Sequence, residues 1–131
     1  MPLEVPLDTP RRYPRISVVD GRLSASLRVN GKHLAGIRVT SLSIGGLFLF
    51  IDTSHTSGVE AGRRIEELIL HHPELPATPM NATVMRTLGG GEGMEIMGCG
   101  LRFDPLPEEQ AQALDTYIGG YLQEHEEPFV P

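Results

Sequence analysis

The sequence predicts an all-β domain with one C-terminal α-helix: about six antiparallel strands on short turns, then a single amphipathic helix. Three observations carry this. Leu23, Ala25, Leu27 and Val29 alternate with Ser24, Ser26 and Arg28, the period-two signature of a half-buried strand. Asn30-Gly31 follows, and Ala35, Ile37 and Val39 then alternate with Gly36, Arg38 and Thr40. Both turn residues tolerate positive φ, so the dipeptide marks a tight hairpin. After Asp104-Pro105 the apolar spacing changes to four, with Leu114, Ile118 and Leu122 on one stripe.

The elements follow in order. Residues 1–10 hold three prolines and little periodicity, a flexible tail. The hairpin around Asn30-Gly31 supplies the first two strands, and the small residues of 41–46 break the second. The apolar run 47–51 is a buried strand, and 52–62 is a loop rich in Ser, Thr and Gly. Residues 63–70 fit a short helix through Ile65, Leu68 and Ile69, but all neighbours are strands, so the segment is assigned as a strand. Residues 81–87 form another strand, 89–93 a glycine turn, and 94–103 the last strand, interrupted by Gly98 and Gly100. Pro107-Glu108-Glu109 opens the helix, with proline early and acids at the positive end of the dipole. Gly119-Gly120 is expected to end or bend it, at about 1 kcal/mol per glycine relative to alanine. Strands joined by short turns pair antiparallel, and a small sheet protects its edges best by closing into a barrel with the helix covering an end or an outer face.

Composition bounds the function. With 131 residues the chain holds one domain, placed at 11–123 between the tail 1–10 and an acidic tail at 124–131. A net charge of −6 argues against a non-specific nucleic-acid binder yet leaves room for a small anion in a local basic pocket. Cys99 is the single cysteine, which excludes an intrachain disulfide and a cysteine-based zinc site. No apolar run reaches the length of a membrane span, and the N-terminus lacks the order of a signal peptide, so a cytoplasmic protein with no membrane insertion is expected.

Catalytic chemistry finds little support, and the expectation is a non-enzyme with no catalytic residues, no metal and no cofactor. His33, His55, His71, His72 and His125 show no metal-ligand spacing. Gly89-Gly90-Gly91 lacks the lysine and hydroxyl residue of a phosphate loop. Glu66 and Glu67 are adjacent on a strand, which sends them to opposite faces and rules out a joint carboxylate pair.

Two stretches remain. Arg11-Arg12-Tyr13-Pro14-Arg15 places three of the chain's eleven basic residues in five positions. Arginine presents a planar fork that grips a phosphate, or the O6 and N7 of guanine, and stacks on a base. Ser41-Leu42-Ser43-Ile44-Gly45-Gly46 would present Ser41 and Ser43 on one face, with Gly46 leaving space for a flat heterocycle. Twenty-five residues separate Arg15 from Ser41, and the one hairpin between them brings the arginines over the serine face.

In these residues the chain resembles the PilZ domains, bacterial receptors for cyclic di-GMP, whose signature is Arg-x-x-x-Arg and then, about two dozen residues on, Asp/Asn-x-Ser-x-x-Gly. Arg11 and Arg15 match the first motif, with Arg12 and Tyr13 between them; Ser43 and Gly46 match the second. The likeness continues through Gly45-Gly46-Leu47-Phe48-Leu49, Cys99-Gly100-Leu101-Arg102-Phe103 and the Pro-Glu-Glu helix, and spans roughly 11–122. Ser41 stands where the family has Asp or Asn, a shorter group that reaches a guanine edge only through a water.

The resemblance implies a six-stranded antiparallel PilZ-like β-barrel and a single-domain cyclic di-GMP effector in second-messenger signal transduction. Arg11, Arg12 and Arg15 would hold guanine edges and phosphate, with Ser41, Ser43 and Gly46 as the opposite wall. Ligand binding would order the N-terminal arginine segment, and a protein partner in trans, in motility or polysaccharide machinery, would read the change. The rival is a PilZ-like interaction module that does not bind the dinucleotide.

Overall fold

A computed structural model describes residues 15–18, 22–52, 59–89 and 95–125, with side chains through 123. Asn30 and Gly31 both take positive φ, at 53° and 77°, and Val29 pairs with Lys32 across the two-residue loop. The turn therefore fixes the register of β2 (Ser24–Val29) and β3 (Lys32–Leu42). Four more long strands follow: β4 (Gly46–Asp52), β5 (Arg64–His71), β6 (Met80–Gly89) and β7 (Ile96–Phe103). All pairings are antiparallel. The order β3-β2-β5-β6-β7-β4 returns to β3 through a β3–β4 pairing, which closes a six-stranded barrel. A two-residue strand, β1 (Ile16–Ser17), pairs with the end of β3, Ile16 opposite Leu42 and Ser17 opposite Ser41.

Alternate residues fill the barrel. Leu23, Ala25, Leu27, Val39, Leu49, Leu68, Leu70 and Val84 are at most 1% exposed. Side chains pointing to a common interior from all six strands give the described residues one hydrophobic core. Helix α1 (Glu108–His125) lays Leu114, Tyr117, Ile118 and Tyr121 on that core, spaced i, i+3, i+4 and i+7. It sits at the end of the barrel near β1, where Tyr117 packs edge-on against His72 and Gln110 donates to the Met80 sulfur.

Three expectations need correction. Helix α1 runs unbroken through Gly119-Gly120. Both glycines lie on its exposed face, between Ile118 and Tyr121, which are 1% and 7% exposed. Burying two large side chains contributes about 1.5–3 kcal/mol each, which exceeds the cost of two glycines. Glu66 and Glu67 do not face opposite ways. A bulge in β5, with Glu67 at φ 51°, leaves both exposed, and Glu67 pairs with Arg28 at 3.3 Å. Ser26 does not lie on a solvent face: β2 is irregular there, and the hydroxyl, 5% exposed, meets the His71 ring at 2.9 Å. The expected strand over 63–70 is present as β5. The tail at 1–10, the stretch 53–58, the glycine turn beyond Gly89 and residues 126–131 lie outside the described residues. No helix among the described residues is long and apolar enough to cross a membrane.

Candidate functional site

The site grows from the turn between β3 and β4. Ser43, Ile44, Gly45 and Gly46 make a tight reversal in which the Ser43 N–H donates to the Gly46 carbonyl at 2.8 Å, and the Ser43 hydroxyl donates to the same oxygen at 3.3 Å. The Phe103 N–H donates to the Gly45 carbonyl at 2.9 Å, which ties the turn to the end of β7. Gly46 pairs with Arg102, and a Cβ built there would run into the Leu101 carbonyl oxygen. Only glycine lets the two backbones approach this closely.

Beside this turn opens a cleft of about 390 Å³. Ser43, Gly45 and Gly46 form one wall, Phe48 and Gly100 the floor, and Met85, Arg86 and Arg102 the other side. Arg15 closes the rim, because the β1–β3 register that sets Ile16 opposite Leu42 carries the preceding residue to the level of Ser43. Gly100 leaves room for the neighbouring arginine: a Cβ there would stand 3.2 Å from the Arg86 Cγ. The Arg86 guanidinium lies 5.8 Å from the centroid of the Phe48 ring. That distance is within cation–π range and holds the planar fork beside the cleft. Three exposed arginines thus converge on a site in a chain of net charge −6. Their summed field suits a doubly charged anion, and their faces suit aromatic rings.

Of the residues expected from the sequence, Arg15, Ser43 and Gly46 meet at this cleft. Ser41 does not line it. β3 ends at Leu42, and Ser43 already belongs to the turn, which breaks the alternation that would set Ser41 and Ser43 on one face. Ser41 stays half-buried between Ser17 and Phe48, while Ser43 is buried in the turn. Arg11 and Arg12 lie outside the described residues. Sequence reasoning missed Arg86, Arg102 and Phe48 as residues that line the cleft. The signal was faint but present: outward arginines facing glycines on a neighbouring strand, readable only once the β6–β7 and β4–β7 registers are known.

Little else reads as chemistry. Cys99 is buried, and burial pushes its thiol up to about 11, which makes it a poor nucleophile. Among the described residues no three His, Cys, Asp or Glu side chains gather as a metal site.

Known structures share this architecture. The chain superposes on the Bacillus subtilis inhibitor of motility MotI/DgrA with a TM-score of 0.71 and 18% identity, covering 91% of this chain and 54% of that one. For the K. pneumonia MrkH–c-di-GMP complex the TM-score is 0.73 at 14% identity, covering 88% and 54%. For the PilZ domain with c-di-GMP of YcgR from Escherichia coli it is 0.66 at 19% identity, covering 87% and 92%. The chain therefore spans about half the length of the MotI and MrkH chains and nearly the whole of the isolated YcgR domain. No curated protein sequence matches it. The PilZ domain model matches residues 9–120, a span that takes in the arginine stretch, the whole barrel and most of α1, and by that match the chain belongs to the PilZ domain family.

Proposed function

We propose that the cleft binds cyclic di-GMP and that the protein is a receptor for this second messenger rather than an enzyme. The observation that carries the reading is the convergence of Arg15, Arg86 and Arg102 on a cleft walled by Ser43 and Gly46. Two phosphates meet cationic forks, and two guanines meet flat guanidinium and phenyl faces. Membership of the PilZ family, and a fold shared with the YcgR and MrkH complexes, support the ligand's identity. Arg15 would contact phosphate or a guanine edge. Arg11 and Arg12, four and three residues upstream, would complete the grip. Gly46 would let the ligand lie close to the backbone. Ser43 would offer its hydroxyl at the cost of its bond to the Gly46 carbonyl. Ser41, outside the cleft wall, would contribute from the rim through a water. Ordering of the arginine segment would then be the signal read by a partner protein.

Calorimetric titration with cyclic di-GMP tests this. Saturable binding at micromolar or tighter affinity, weakened about ten- to a hundredfold in Arg15→Ala while the melting curve is unchanged, is the expected result. A flat titration of folded protein would favour the second reading, an interaction module that does not bind the dinucleotide. The position of Ser41 outside the cleft is what supports that reading.

A further inference from the structure

The outer face of the barrel carries a feature that begins at the cleft and extends beyond it. Cross-strand register stacks its side chains in rows. Phe48, Gly100 and Arg86 form the first; Phe50, Gly98 and Leu88 the second; Asp52 and Ile96 stand opposite each other in a third. The middle strand gives glycine to the first two rows, and the aromatic rings settle into the space. A Cβ on Gly98 would stand 2.6 Å from the Phe48 Cζ and 3.1 Å from the Phe50 Cε1, and the two rings meet edge to face with centroids 5.4 Å apart. Beyond them the surface is apolar and open: Phe50 is 44% exposed, Leu88 55%, Ile96 58%, and Met85, at a bulge in β6, 48%. Large apolar side chains gathered on one face mark a surface that something covers.

The sequence holds a segment whose composition suits this surface. The first row belongs to both features, since Phe48 and Arg86 line the cleft together with Arg15. Arg15 therefore stands beside this patch, and the sequence before it is tethered there. They include Pro2-Leu3-Glu4-Val5-Pro6-Leu7, with apolar side chains at every second position from 3 to 7 and prolines at 2 and 6. Proline-bracketed apolar segments favour an extended backbone with little entropy to lose, the form that aromatic-lined surfaces take up. Leu7 lies eight residues from Arg15, a reach of about 25 Å at ~3.1 Å per residue. Adjacent rows are only ~7 Å apart along a strand. Glu4 and Asp8 add negative charge to a segment that would pass Arg86 and Arg102.

We propose that residues 2–7 of this chain dock on the outer face formed by Phe50, Met85, Leu88 and Ile96, with Leu3, Val5 and Leu7 making the apolar contacts. A coupling to the cleft rests on the receptor reading. A dinucleotide held by Arg11 as well as Arg15 fixes the chain four residues from Leu7 instead of eight, and a shorter tether raises the effective concentration of the segment at the patch. Ligand would then seat the segment more firmly without touching it.

The test uses the full chain with a nitroxide on Pro2→Cys, a selective position because the buried Cys99 thiol, with its pKa pushed up to about 11, resists labelling. Paramagnetic relaxation is read at the Leu88 and Ile96 methyls, with Ile69 on β5, across the barrel, as comparator. The same label on a Leu3→Ser, Val5→Ser, Leu7→Ser variant reports the free tether. Docking predicts enhancement at Leu88 and Ile96 about threefold above that variant, rising further with cyclic di-GMP. Equal enhancement in both proteins overturns the proposal. Enhancement that instead appears in a mixture of nitroxide-bearing and methyl-labelled chains assigns the patch to a second copy and also overturns it. Amide shifts at Gly46 and Gly100 on adding ligand report the receptor reading separately. Shifts there with no change at the patch remove the coupling; absent shifts remove the receptor reading, and the ligand-free comparison still decides the docking.

Discussion

Strands β3 and β4 form two different sites at their two ends. At one end, residues 39–42 pair with 47–49 and a tight turn brings the backbones together. At the other, residues 32–38 diverge from 50–52, and a groove of about 640 Å³ opens between them. The open groove is larger than the cleft of about 390 Å³. It holds Leu34, Ile37, Phe50 and Ile96, with Lys32, His33 and Arg38 opposite Asp52. The smaller site has what the larger lacks: arginines from three separate segments converging over glycines. Under the receptor reading, charge convergence and backbone access, and not volume, would set the proposed nucleotide site apart from the wider groove.

The sharpest way to break this contrast is to add one methyl group at each end. Gly46→Ala drives a Cβ into the Leu101 carbonyl, which is backbone and cannot swing aside. A loss of about 3 kcal/mol or more is expected by urea unfolding. Gly36→Ala, at the open end, meets nothing within 4 Å and pays only for its φ of 67°, about 1–2 kcal/mol. Equal losses would mean that the closed end is not uniquely tight.

The second comparison is of arginines. Arg15→Ala should weaken cyclic di-GMP binding about ten- to a hundredfold, the cost of losing a hydrogen bond between charged groups. Arg38→Ala, lining the open groove, should leave the titration unchanged. Arg86→Ala should cost a smaller factor, about threefold to tenfold, if it acts mainly through a face.

Between the two ends, Cys99 faces the core opposite Leu49. Its folded pKa is raised by burial, so its contribution is fully present below the unfolded value and is lost as pH rises between 9.0 and about 11. Unfolding free energy should fall across that window by on the order of 2 kcal/mol more than in Cys99→Ala. Ser43→Ala is the mildest change, removing one hydroxyl bond of 3.3 Å from the turn, and should cost about 0.5–1.5 kcal/mol. A binding loss in this variant larger than the stability loss would assign the hydroxyl to the ligand.

Where local geometry decides, the sequence was readable. Asn30-Gly31 takes the positive φ pair that its residue types favour, and the alternation around it places Leu23, Leu27 and Val39 inside. Arg15 lies beside Ser43 because a single hairpin spans the distance. What could not be read is what irregular pairing decides. The end of β3 at Leu42 parts Ser41 from Ser43, and the bulge in β5 turns Glu66 and Glu67 to the same solvent. Arg86 and Arg102 reach the cleft through pairings set by ring closure, seventy or more residues after Arg15. Helix α1 passes Gly119-Gly120 because its flanking side chains are anchored, a tertiary effect that propensity does not see.

The backbone contact at Gly46 carries a consequence for inheritance. The glycine serves two masters: it opens the cleft, and it lets β4 lie against the Leu101 carbonyl. Arg15 is exposed and packs into no core. A lineage without a dinucleotide to sense would come under no pressure to keep the arginine, yet would still lose stability without the glycine. Drift would erase the charges first and the glycine last. In a descendant chain, then, a glycine at this position testifies to the barrel, and only the arginines testify to the ligand.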